Sequence, residues 1–220
     1  MKLNWAERWV VNNHLRVFEQ HLQVRHFRQV SDLRRGARIL EVGCGRGAGA
    51  RLVHKAFRPS LLCASDLDYR MVFRAKGYLS LTDHDRIRLH VADAEDLPIK
   101  NESMDAVFGF GVLHHVPDWR RALAEISRVL KPGGTFFVEE LYPSLYQNAV
   151  TRRILLHPTA DRFFSDELKD FMRAVGLPIK KAIEFKRLGI LGIAIREGSR
   201  PLTGHGNQED DDYRDGNGDE

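Results

Sequence analysis

Cysteine is nearly absent from this 220-residue chain. The two that occur, Cys44 and Cys63, fall in no CxxC or Cys/His spacing. That excludes a disulfide framework and argues against a zinc site, so no metal is expected. Long apolar runs are missing too: nothing approaches the roughly 20 residues needed to span a bilayer. The opening Met1-Lys2-Leu3-Asn4-Trp5-Ala6-Glu7-Arg8 lacks the apolar core of a secretion signal, so a cytoplasmic protein is expected. No compact Lys/Arg run of the kind that grips nucleic acid is found, and no nucleic-acid partner is expected.

What is present is an ordinary globular composition, 43% hydrophobic and 29% charged, sized for one core. The formal net charge of +4 hides an asymmetry. Between His205 and Glu220 lie seven acids, Glu209, Asp210, Asp211, Asp212, Asp215, Asp219 and Glu220, against the single base Arg214. The rest of the chain is correspondingly more basic. A Gly-, Asn- and Asp-rich stretch cannot build a core, and 199–220 reads as a disordered acidic tail.

The hydrophobic pattern divides the remainder. Trp5, Trp9, Leu15, Phe18, Leu22, Val30 and Leu33 recur at helical spacing with arginines among them, which predicts an N-terminal helical cap over 1–36. Short apolar strands then alternate with helices from 37 to 198. Strands are expected at 38–42, 61–66, 87–92, 104–110, 135–139, 179–187 and 190–196, the last two joined by a hairpin at Gly189. Helices are expected at 48–58, 69–81, 120–130 (stopped by Lys131-Pro132-Gly133-Gly134) and 165–175 (capped by Ser165). Alternation of this kind builds a Rossmann-like α/β sheet, mostly parallel, with helices on both faces. Ligands of such sheets bind beyond the C-terminal strand ends.

The chemically suggestive residues fall at those ends. Gly43, Gly45 and Gly47 let the backbone turn and approach a ligand. Alone they suit NAD, FAD or S-adenosylmethionine equally. Asp66 follows the second strand, where a carboxylate can accept from both ribose hydroxyls; the alternative is an acid that caps the next helix, a role open to Asp68 as well. Asp93 follows the third strand, where its carboxylate can accept from an adenine amino group while the Ala94 N–H serves a ring nitrogen; the alternative, and in isolation the better one, is a solvated loop acid.

Glu41-Val42-Gly43-Cys44-Gly45-Arg46-Gly47, Asp66 and Asp93-Ala94-Glu95-Asp96-Leu97-Pro98 together resemble the class I S-adenosylmethionine-dependent methyltransferases. Asp105-Ala106-Val107-Phe108, Val112-Leu113-His114-His115-Val116 and Leu130-Lys131-Pro132-Gly133-Gly134 extend the likeness, which is strong over about 37–140 and is nearest the methyltransferase type 11 group of quinone, lipid and natural-product enzymes. The resemblance implies a seven-stranded sheet with its last strand antiparallel, S-adenosylmethionine as cofactor and S-adenosylhomocysteine as product. It also implies roles: Gly43, Gly45 and the backbone at Cys44 hold the methionine part, supported by Glu41; Asp66 binds ribose and Leu67 packs on adenine; Asp93 and Ala94 read the adenine edge; the backbone of Gly109 and Phe110 meets the methionine ammonium.

Methyl transfer from a sulfonium is mainly a matter of placement, with a general base needed for a weakly acidic acceptor. The candidates are His114, His115, Glu139, Glu140 and Tyr142, since neighbouring strands four and five would bring either histidine towards either glutamate. Cys44, between two glycines, is read as a small loop residue and not a nucleophile. The acceptor, a small molecule, quinone or lipid, would be enclosed by the N-terminal helices and the insertion 142–164, and the basic amphipathic N-terminus suits a membrane surface. The rival readings are an NAD(P)-dependent oxidoreductase and a nucleic-acid methyltransferase. Against the second, Phe110-Gly111-Val112-Leu113 stands where an Asn/Asp-Pro-Pro-Tyr/Phe motif would be.

Overall fold

The computed structural model describes residues 14–79, 87–146, 161–185 and 187–198. The expected helical positions Trp5 and Trp9, most of the 142–164 insertion and the acidic tail lie outside these residues. The chain runs α1 (His14–Val30), β1 (Arg38–Val42), α2 (Ala48–Phe57), β2 (Leu61–Asp66), α3 (Tyr69–Leu79), β3 (Ile87–Val91) and β4 (Met104–Phe110). A 3₁₀ turn (Leu113–His115) follows, then α4 (Trp119–Val129), β5 (Leu130–Leu141), α5 (Pro143–Tyr146), α6 (Ser165–Ala174), β6 (Ile179–Phe185) and β7 (Gly189–Ile195). The strands form one sheet in the order β3-β2-β1-β4-β5-β7-β6. All neighbours pair in parallel except β7, which is antiparallel to both β5 and β6. The order reverses between β1 and β4, which makes the gap beyond Val42 and Gly109 the natural ligand crevice.

Alternation along the central strands feeds two cores. On one face Ile39, Leu62, Ala106, Phe108 and Phe137 pack with Val24 and Phe27 of α1 and Val53 and Phe57 of α2. Phe27 is fully buried, with its ring 5.0 Å from Phe137 and 6.2 Å from Phe108. Burying one such ring contributes about 1.5–3 kcal/mol, enough to fix α1 on the sheet. On the other face Leu40, Val107, Phe136 and Val138 meet Trp119, Leu123 and Ile126 of α4 and Leu168 and Met172 of α6.

Several local expectations are corrected. Lys131-Pro132-Gly133-Gly134 does not form a separate helix stop: β5 begins at Leu130, and its register against β4 shifts between Met104 and Ala106 to absorb the Pro-Gly-Gly stretch. The helix before it starts at Trp119, because the Asp118 side chain accepts from Arg121 N at 2.9 Å and caps it. Ser165 is the first residue of α6 and not its cap; its hydroxyl is engaged with Glu184 and Tyr142, while Phe164 N donates to Glu167 Oε2 at 3.3 Å. Gly189 is also not the hairpin turn. It opens β7, where a Cβ would lie 2.3 Å from the Glu140 carbonyl oxygen, so only glycine permits that pairing.

Candidate active site

Val42 ends β1 between Ser65 of β2 and Gly109 of β4, so the chain leaves the sheet at its centre. Gly43, Gly45 and Gly47 all have positive φ, at 73°, 53° and 87°, which turns the loop sharply into α2. A Cβ at Gly43 would lie 2.5 Å from Val112 Cγ2, whereas a Cβ at Gly45 would meet nothing within 4 Å. The loop is therefore packed on the β4 side and open at Gly45. Cys44 donates its N–H to the Ser65 carbonyl at 2.8 Å and is buried. Burial, with Glu41 and Asp66 nearby, pushes its thiol well above the usual range, so it is no nucleophile.

Asp66 fastens this loop. Its Oδ2 accepts from Gly45 N and its Oδ1 from Asp68 N, each at 2.9 Å. Each oxygen keeps further acceptor capacity for a ligand hydroxyl. Capping of α3 falls to Asp68, whose Oδ1 accepts from Arg70 N at 3.0 Å. Ala92 N donates to the Asp66 carbonyl and brings the end of β3 alongside. There the exposed Asp93 accepts from Glu95 N at 3.0 Å, and Ala94 is buried beneath it. Leu67 is 43% exposed beside this edge.

Glu41 lies under the loop and is buried. Burial pushes its carboxyl up to about 8, and the Asp66 charge adds to the shift. Its Oε1 stands where a Cβ on Gly49 would be 2.1 Å away, so only glycine at the start of α2 makes room for it. Its Oε2 has no hydrogen-bond partner among the described residues. A buried acceptor without a partner, beside a loop bare of side chains, fits a ligand that brings its own donor.

Phe110 is buried in the aromatic core, its ring stacked 5.9 Å from Phe108, so only its backbone and that of Gly109 can face the crevice. Beyond it, Gly111 (φ 63°) donates its N–H to the Glu139 carbonyl at 2.7 Å. A Cβ there would come within 3.2 Å of both Arg16 Nη2 and His114 Cε1, and within 3.4 Å of Glu139 Oε2. No sequence pattern singles out Gly111, yet three charged or titratable side chains converge on it.

The two glutamates of β5 divide at this point. Glu139 lies on the α1 side and is held by Arg16, with Nη2 to Oε2 at 2.6 Å and Nη1 to Oε1 at 3.3 Å. Burial opposes the Arg16 charge, but Glu139, with help from Glu19, more than offsets it and holds the guanidinium firmly protonated. Glu140 lies on the opposite side and is buried. Its Oε1 accepts from Val112 N at 2.9 Å and Leu113 N at 2.7 Å, and its Oε2 sits 2.8 Å from His114 Nδ1. Burial pushes the Glu140 carboxyl up to about 8, against the pull of these backbone donors.

From the far end of the 3₁₀ turn, Arg162 donates to the carbonyls of His114 at 3.1 Å and Val116 at 3.2 Å. The turn carrying His114 is thus clamped at both ends. His115 is half-buried, its ring centroid 4.2 Å from that of His114. Tyr142 is buried and its hydroxyl is committed elsewhere: it donates to Glu184 Oε1 at 2.7 Å, and burial together with that contact pushes its hydroxyl up. In the sequence Arg16 and Arg162 are two arginines among many, because their partners lie 123 and 48 residues away.

Comparison with known proteins agrees with this geometry. Residues 40–138 match the family model described as a methyltransferase domain. The phthiotriol/phenolphthiotriol dimycocerosates methyltransferase of Mycobacterium tuberculosis is 38% identical over 109 residues, covering 50% of this chain and 39% of that protein. The fatty-acid O-methyltransferase of Mycolicibacterium smegmatis is 33% identical over 108 residues, 49% of this chain and 38% of that protein. This chain thus spans about two fifths of the length of these curated relatives. In fold it is similar to an S-adenosylmethionine-dependent methyltransferase of Aquifex aeolicus, with a TM-score of 0.69, 16% identity, and coverage of 89% of this chain and 100% of that one. The glycine loop, its aspartate and the strand order that brings them together are similar to those of the S-adenosylmethionine-dependent methyltransferases, and residues 40–138, just under half of the chain, carry the match to a methyltransferase domain.

Proposed function

We propose that this protein methylates a lipid-like acceptor at a hydroxyl group, with His114 as the base that takes the hydroxyl proton. The observation that carries the reading is the 2.8 Å contact between His114 Nδ1 and the buried Glu140 carboxylate at the C-terminal edge of β4 and β5. When bound, S-adenosylmethionine supplies a methyl group already activated by its sulfonium. The chain's residues bind, orient and deprotonate. Gly43, Cys44 and Gly45 would hold the methionine part, Glu41 Oε2 would accept from its ammonium, Asp66 would take the ribose, and Asp93, Ala94 and Leu67 the adenine. The backbone of Gly109 and Phe110 would complete the wall.

Once ionised, the Glu140 carboxyl facing Nδ1 keeps the proton on that nitrogen and makes Nε2 the nitrogen that accepts one, so the base gains strength as pH rises towards about 8. The acceptor's O–H proton passes to Nε2, and the imidazolium formed is stabilised by Glu140. A base of this kind contributes about 10²–10⁴-fold. A carboxylate acceptor carries no proton to lose and would leave His114 idle, which is why a hydroxyl is favoured. Glu139 has a different task, binding α1 through Arg16. The lipid class is supported by the names of the two mycobacterial relatives.

A membrane surface is the natural source of such an acceptor. No described helix is long and apolar enough to cross a bilayer. However, α1 turns Leu15, Phe18 and Leu22 outward, 78%, 62% and 49% exposed, opposite the buried Val24 and Phe27. We read this stripe, with Arg25 beside it, as a face that rests on anionic lipid.

The test is turnover with labelled S-adenosylmethionine and matched long-chain acceptors ending in a phenol, an alcohol or a carboxylate. Methylation of the hydroxyl acceptors, abolished or severely slowed in His114→Ala, is expected. Equal rates for wild type and His114→Ala would overturn the base, and methylation of the carboxylate alone would overturn the acceptor. Co-sedimentation with anionic vesicles, weakened in Leu15→Ser/Phe18→Ser, tests the membrane face.

A further inference from the structure

A second concavity lies at the opposite, N-terminal edge of the sheet. Its volume is about 660 Å³, and it is open between the α1–β1 connection, the start of β5 and the end of β7. Ile193 and Ile195 floor it, and Pro132 and Gly133 form one wall. Its rim is basic: Arg34, Arg35, Lys131, Lys180 and Lys181 line it with only Asp32 and Asp105 as acids. Asp105 is already neutralised, accepting from Lys131 Nζ at 2.6 Å and from Arg38 N at 2.7 Å. Lys181 donates to the Val30 carbonyl, a contact that leaves its charge uncompensated. Arg34 and Arg35 are exposed and make no ion pair among the described residues. Several like charges held around an apolar floor cost repulsion, and that cost is relieved by an anionic occupant.

The chain places such an occupant next to it. β7 ends at Ile195 on the floor, and Arg196 pairs by backbone with Gly133 and Gly134, with N···O distances of 2.8 Å in both directions. The last described residue, Gly198, faces Pro132 of the wall, where a Cβ would lie 4.0 Å from the proline Cβ. Glu209 follows eleven residues later and opens the stretch of seven acids. The random-coil relation for a chain of that length gives a root-mean-square reach of about 17–20 Å, and tethering on this scale gives an effective concentration on the order of millimolar.

We propose that this basic cleft is a binding site for acidic peptide and that the chain's own segment Glu209–Glu220 occupies it. The site is independent of methyl transfer, since the cleft lies at the other end of the strands. The carboxylates pair with Arg34, Arg35 and Lys181 at the rim, where Lys180 already faces Glu197 at 3.4 Å, and Tyr213 lies within the segment to meet the apolar floor. Occupancy hides this basic rim from other polyanions, so a partner must displace the segment to reach it.

The test uses the full chain with a spin label on Gly216→Cys, the native Cys44 and Cys63 being buried. Paramagnetic broadening of backbone amides at Arg34, Arg35, Lys131 and Lys180 is expected at low salt, and its loss in 0.5 M salt and in Arg34→Glu/Arg35→Glu. Broadening spread evenly over the surface, or unchanged in the charge-reversed variant, would overturn the proposal. Should that variant fold poorly, a full chain with its seven tail acids changed to Asn and Gln serves instead. It should bind a free peptide of sequence 205–220 at least tenfold more tightly than wild type, whose site is filled. Equal binding to the two chains, or equal binding of heparin to both, would overturn the proposal.

Discussion

Glu139 and Glu140 are consecutive on β5 yet close onto different partners, Arg16 Nη2 at 2.6 Å and His114 Nδ1 at 2.8 Å. Strand alternation is the cause: successive side chains leave a strand on opposite faces, and the N-terminal helix covers one face while the 3₁₀ turn lies on the other. Two buried acids that look interchangeable in sequence therefore perform separable work, and their variants should separate as well.

On the His114 side the expected effect is on turnover. His114→Ala should lower kcat for a hydroxyl acceptor by about 10²–10⁴-fold with little change in KM for the cofactor. Glu140→Gln should lower kcat in the same direction, because an amide no longer compensates the imidazolium. Steady-state kinetics with both substrates varied checks this. A loss confined to cofactor KM would instead mark His114 as a pocket wall.

On the Arg16 side the expected effect is on stability. Arg16→Met leaves the Glu139 carboxylate buried without its cation, a change that costs about 3–5 kcal/mol when a buried pair loses one partner. The double variant Arg16→Met/Glu139→Leu should recover most of that loss, since it removes the stranded charge as well. Urea unfolding of the two single variants and the double variant gives the coupling energy, and strict additivity would show that the pair contributes nothing.

Glu41 should make stability and cofactor affinity respond to pH in opposite senses. Its folded carboxyl sits at about 8 against an ordinary 4.5. Across that window the folded protein holds a proton that the unfolded chain has released. The stability linked to it is fully present below 4.5 and is lost as pH rises through about 8. Glu41→Gln should flatten this part of the fall in urea midpoint between pH 5 and 9. Cofactor binding runs the other way if the ammonium requires an ionised Glu41. Affinity should then rise with pH, up to tenfold per unit, and level off above about 8, with a proton released on binding that calorimetry in two buffers detects.

Much of this site is legible in the sequence because strand ends are marked by punctuation. Gly43, Gly45, Asp66 and Asp93 each terminate a short apolar run, and the βα alternation alone aligns those ends on one edge. The choice between Glu139 and Glu140 is not legible in the same way. It depends on which face of β5 meets α1, a matter decided by Phe27 packing on Phe108 and Phe137 across distances of about eighty residues or more along the chain. Arg16 is hidden for the same reason. Nor can Gly111 be singled out, because its value lies in what surrounds it and not in the turn it makes.

In the glycine loop, conformational strain and steric conflict can be told apart. Gly43 and Gly45 both have positive φ, where an L-residue costs roughly 1–2 kcal/mol. Only Gly43 has a neighbour in the way: its Cβ would lie 2.5 Å from Val112 Cγ2 and 2.9 Å from Val112 Cβ. Val112 cannot yield freely, because its N–H is bound to Glu140 Oε1 and the residues after it carry His114. Gly45→Ala should therefore lose only the strain energy in unfolding experiments and perturb the loop locally. Gly43→Ala should lose more, and it should reduce kcat as well as cofactor affinity, because the displaced Val112 drags the histidine turn with it. Val112→Ala added to Gly43→Ala removes the nearer clashing atom, Cγ2, and keeps Cβ, so it should restore part of kcat while leaving the strain. If Val112→Ala restores nothing, the glycine loop and the histidine turn are not mechanically joined through this contact, and the fall in kcat must arise from the cofactor alone.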